Sequence, residues 1–66
     1  MNLQQVAKKY AVNENILNSK DDAHTIVIES LRDLQNMANA NQPRQQLVNR
    51  IQFVIDFVND VKNSSI

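Results

Sequence analysis

RQQLVNRIQFVIDFVNDVK, residues Arg44–Lys62, carries apolar side chains around more of its circumference than a helix with one neighbour can bury. On a wheel at about 100° per residue, Phe53, Phe57, Val61, Val54, Leu47, Val58, Ile51, Ile55 and Val48 span roughly 220°. The preceding stretch, DAHTIVIESLRDLQNMAN at Asp22–Asn39, behaves alike. Its Ile26, Met37, Ala23, Leu34, Val27, Ala38, Leu31 and Ile28 span roughly 200°. A helix packed on one partner needs little more than about 100° of apolar surface. Each of these helices therefore expects a second neighbour, and the rest of the chain has little to offer.

The punctuation around the two stretches supports helices. Ser19-Lys20-Asp21-Asp22 reads as an N-cap with an acidic residue three positions on, a variant of the capping box. Asp21 and Asp22 also sit where the positive end of the helix dipole favours negative charge. Asn39-Ala40-Asn41-Gln42-Pro43 is a short polar break, with Pro43 expected in the first turn of the next helix. The second helix should fray around Asn63-Ser64-Ser65-Ile66, with Lys62 near its negative end. A connection this short implies an antiparallel pair. Glycine is absent from the chain. That disfavours hairpin turns that need positive φ, and it leaves Asn to fill the left-handed positions that end helices.

With 66 residues there is room for one domain, near the size where a single core is marginal. Cysteine is absent, so neither a disulfide nor a thiolate metal site can staple the fold. Small chains without staples often gain stability by associating. Seven basic and seven acidic residues cancel, so no global field draws the chain to nucleic acid or to an anionic membrane. The apolar runs are too short for a transmembrane span. Met1–Tyr10 lacks the basic start and apolar run of a signal peptide, so the cytoplasm is the expected compartment.

The N-terminal third is of another kind. Leu3, Val6, Ala7 and Tyr10 fall on one face of a short helix, and Asn13 is an N-cap for the residues after it. The stretch Leu3–Leu17 resembles the opening of a helix-turn-helix motif: Val6, Ala7, Val12 and Leu17 occupy its apolar and small slots. Ala11 stands where glycine is usual, and Lys20 where a further apolar residue is expected. The resemblance implies a DNA-binding regulator that dimerises through the hairpin, with Asn13, Asn15, Asn18 and Ser19 near base edges and Lys8, Lys9 and Lys20 near the backbone. Asp21 and Asp22 would then face phosphates, an electrostatic cost. The other reading is a short helix and ordered turn that cover one side of the hairpin.

Residues suited to catalysis are sparse. His24, the single histidine, lies at the edge of an apolar arc with no nucleophile or metal ligand at a recognisable spacing. It reads as a boundary residue, and we expect no catalytic, metal or cofactor site. Asp56 and Asp60, four apart, read as a solvated acidic strip. Phe53 and Phe57 are more informative: two of three aromatic residues, at the edge of the last helix's arc, with Arg50 on the same side. Either the N-terminal helix folds over them through Leu3, Val6 and Tyr10, or they anchor a partner or dimer seam. The second reading places an interface at Phe53, Phe57, Arg50, Val54, Val61, Ile28 and Leu31.

The expected fold is all-α: residues 1–18 a short helix and turn, then helices over 19–40 and 43–63 forming a hairpin that dimerises into a four-helix bundle. The expected function is a small non-catalytic regulator, adaptor or chaperone that presents an apolar groove to a partner helix. Its partners would be a second copy and another helical protein.

Overall fold

The computed structural model describes residues 1–64, and every element among them is helical. Helix α1 spans Leu3–Lys9, a single 3₁₀ turn Glu14–Ile16, α2 Lys20–Asn39 and α3 Arg44–Lys62. Ser65 and Ile66, part of the expected fraying, lie outside the described residues. The expected boundaries of α2 and α3 hold to within one residue. Pro43 stands just before α3 rather than inside it, in an extended conformation, and its carbonyl accepts from the amides of Gln46 and Leu47.

The helix ends follow from side-chain chemistry. The Ser19 hydroxyl accepts from the Asp22 amide at 3.2 Å. The Asp22 carboxylate reaches back one residue beyond the cap and accepts from the Asn18 amide at 2.9 Å. At α1 the reciprocal bonds are complete: Asn2 Oδ1 accepts from the Gln5 amide and Gln5 Oε1 from the Asn2 amide, at 2.9 and 2.8 Å. Helix α2 stops at Asn41, whose φ of 55° is left-handed. The amides of Asn41 and Gln42 donate back to the carbonyls of Ala38 and Met37, closing a Schellman motif. Helix α1 stops the same way, with Ala11 at φ 57° and the amides of Ala11 and Val12 donating to Lys8 and Ala7. Asparagine in this role was expected; alanine, with a Cβ that crowds the conformation, was not.

Helices α2 and α3 form the hairpin, and α1 packs across α3. A helix of seven residues is not stable alone. Helix α1 is held because Leu3, Val6 and Ala7 are buried together with Leu17, Ala23 and Phe57. Of the residues that resemble helix-turn-helix slots, Val6, Ala7 and Leu17 are therefore core, and Val12 packs against them. The radius of gyration is 12.4 Å, above the roughly 11 Å of a compact chain this long. The excess reflects a hairpin two helices wide that α1 covers on one side.

Candidate functional site

Covering by α1 divides the wide arc of α3 into two parts. At one edge, Tyr10 sets its ring edge-on against both Phe53 and Phe57, each at 5.5 Å between centroids, and the two phenylalanine rings stack at 5.8 Å. Phe57 has no exposed surface. The Arg50 guanidinium lies over the Phe53 ring at 5.8 Å, as their spacing of one turn allows. The aromatic pair is thus packed against α1, with Phe57 fully and Phe53 partly buried.

Asp60 fastens this edge. Lys9 Nζ donates to its carboxylate at 2.8 Å, and the Tyr10 hydroxyl donates to the same oxygen. Asp60 is therefore not part of a free acidic strip, whereas the neighbouring Asp56 accepts from Gln52 on the exposed side of α3. The hydrogen bonds from Lys9 and Tyr10 hold the Asp60 carboxyl below the ordinary carboxylate value. Lys9 is raised by the same bond. Burial raises the Tyr10 phenol, with the Asp60 bond acting in the same direction.

The other part of the arc remains open. Val48, Ile51, Ile55 and Val58 are exposed along α3, and Ile28 and Leu31 along α2. On the wheel these positions point away from the residues that α1 covers. Large aliphatic side chains left 38–48% exposed are what water penalises most. Val27 and Val58, one from each helix, line a hollow of about 360 Å³ with Lys20, Ala23, His24, Phe57, Val61 and Lys62. Ile28 and Leu31 line a second, of about 410 Å³, with Arg32, Leu34, Gln35 and Ala38.

The residues expected at an interface are thus separated. Ile28 and Leu31 lie on the open face. Val54 and Val61 are half-buried, and Phe53 and Arg50 belong to the edge beneath Tyr10. The sequence placed Val48, Ile51, Ile55 and Val58 in the wide apolar arc but not in the expected interface, although their alternating spacing of three and four residues is that of a helix-pairing seam.

The residues suited to contact DNA are mostly engaged locally. Lys8 approaches Glu14 at 3.7 Å, and Lys9 is bound to Asp60. Asn13 caps the 3₁₀ turn by accepting from the Asn15 amide, and the Asn15 carbonyl accepts from Asn18. Lys20 opens α2 on the rim of the first hollow. The segment after the Ala11 turn is a three-residue 3₁₀ turn rather than a helix able to lie in a major groove. Among the described residues no group of three His, Cys, Asp or Glu is placed to hold a metal ion, and no helix is long and apolar enough to cross a membrane. Comparisons with protein-family models, curated proteins and solved structures find no match to this chain.

Proposed function

We propose that this chain is a non-catalytic interaction module, a small regulator, adaptor or chaperone that works by pairing helices from outside the chain with its open α2–α3 face. One observation carries the reading: the stripe of Val48, Ile51, Ile55 and Val58 beside Ile28 and Leu31, exposed on a chain too small to leave such area in water at no cost. The stripe can be covered by a second copy, which would give the four-helix bundle of a homodimer, or by a helix of another protein. The test is the double substitution Ile51→Glu with Ile55→Glu. It should leave the helical circular dichroism intact while abolishing both self-association, read by sedimentation equilibrium, and binding of amphipathic helical peptides. A wild-type chain that is monomeric at tens of micromolar and binds no such peptide would remove the reading.

The alternative is a small helix-turn-helix-like DNA-binding regulator that dimerises through the hairpin. It has one observation in its favour: Ala11 adopts the left-handed backbone that the motif asks of its turn glycine. The short 3₁₀ turn and the locally paired lysines weigh against it.

A further inference from the structure

The charged side chains that line the two hollows of the open face are all of one sign. Lys20 and Lys62 stand on the rim of the hollow between the start of α2 and the end of α3, with His24 beside them. Arg32 lines the second hollow. Among the described residues no carboxylate lines either hollow, and Lys20, Lys62 and Arg32 are in no ion pair. The chain is neutral as a whole, so these positions reflect local segregation. Asp22 and Glu29 line a separate hollow beside the 3₁₀ turn, and Asp60 is bound by Lys9 and Tyr10.

This segregation discriminates between the two ways of covering the face. A two-fold pairing sets a patch against itself. Where two copies bring the hollow-lining charges together, cation would meet cation, opposing the apolar gain. A helix with carboxylates along the borders of its apolar stripe meets the same surface with opposite charge. Apolar burial supplies the affinity of such a contact, while charge complementarity supplies its selectivity and on-rate.

We infer that the occupant of this face is an amphipathic helix of another protein, apolar along one stripe and acidic at its flanks. The inference rests on the helix-pairing reading above. The apolar stripe lies on Val27, Leu31, Ile55 and Val58. Its carboxylates reach Lys20 and Lys62 at one end and Arg32 further along. From Lys20 to Ala38 the face runs about 27 Å at 1.5 Å per residue, which fits a partner segment of about five turns.

Two synthetic peptides of about 20 residues test this with the full chain, matched in their leucine stripe and flanked by Glu in one and by Lys in the other. In anisotropy titrations at low salt the Glu-flanked peptide should bind about tenfold tighter. Lys20→Gln with Lys62→Gln should erase most of that difference, as should high salt, and Val58→Asp should weaken both peptides. Equal binding of the two peptides, or a preference that survives the lysine substitutions, would overturn the acidic partner and leave helix pairing in place. A chain that sediments as a dimer and excludes both peptides would also overturn it, assigning the face to a second copy. A folded monomer that binds neither would remove the acidic partner and the helix-pairing reading together.

Discussion

The Tyr10 hydroxyl donates to the carboxylate of Asp60, tying the end of α1 to the last turns of α3 across most of the chain. Lys9 adds a second bond to the same oxygen. The aromatic ring of Tyr10 supplies the apolar half of the same contact, against Phe53 and Phe57.

This contact should make the docking of α1 depend on pH in a defined direction. A carboxyl held below its ordinary value stabilises the fold above that ordinary value and ceases to do so as pH falls through the lowered one. Tyr10 is the single tyrosine and the chain has no tryptophan, so its fluorescence reports the site directly. The acid change in Tyr10 emission should have its midpoint below about pH 4 and should disappear in Asp60→Asn. A midpoint above that range, or one unchanged in Asp60→Asn, would contradict the arrangement. At the alkaline end Tyr10 and Lys9, both raised, stabilise below their ordinary values and lose the contribution as pH climbs through the raised ones. Tyrosinate absorbance should therefore develop at higher pH in the native chain than in urea.

Ala11 should be a site of easy stabilisation. Its φ of 57° places a Cβ where the left-handed conformation costs roughly 1–2 kcal/mol, partly offset by the greater unfolded-state freedom of glycine. Ala11→Gly should gain about 0.5–1 kcal/mol and raise the melting temperature by a few degrees, about 4–8 °C per kcal/mol. Asn41→Gly, at φ 55°, should change little because Asn tolerates this conformation. Thermal melts followed by circular dichroism decide both.

Phe57 and Ile51 should fail in different ways. Phe57→Ala removes a fully buried ring and should cost about 3–5 kcal/mol, enough to unfold a domain of this size. Phe53→Ala, half-buried, should cost less. Ile51→Glu should cost the fold far less than Phe57→Ala and act mainly on association, because its side chain is 44% exposed. Urea titrations of the three variants check this; a large loss of stability in Ile51→Glu would place that residue in the core.

Duplex DNA should not be a ligand. Near the Ala11 turn, Lys8 and Lys9 are already paired with Glu14 and Asp60, and Asp21 and Asp22 put negative charge at the start of α2. Counterion release should be small, so no binding to random duplex is expected at tens of micromolar and physiological salt, where DNA-binding domains commonly associate. Tight binding that falls steeply with salt and is abolished by Lys8→Glu with Lys20→Glu would favour the DNA-binding reading.

The sequence by itself determined the two long helices, their bounds to within a residue and the excess of apolar surface. Those features are local: Ser19 and Asp22 cap within one turn, Asn41 ends α2 by its own backbone preference, and the wheel positions of Val48–Val61 follow from helical geometry alone. Only the tertiary structure decided how that surface is shared. A wheel orders side chains around one axis, but it does not say on which flank a short third helix will dock. Here Tyr10, Phe53 and Phe57 lock α1 onto one edge of α3, placing Phe57 in the core. The seam of Ile51, Ile55 and Val58 is left open as a result. The basic pair at one end of that face was equally hidden, since Lys20 and Lys62, far apart in sequence, meet at one hollow when α2 and α3 run antiparallel.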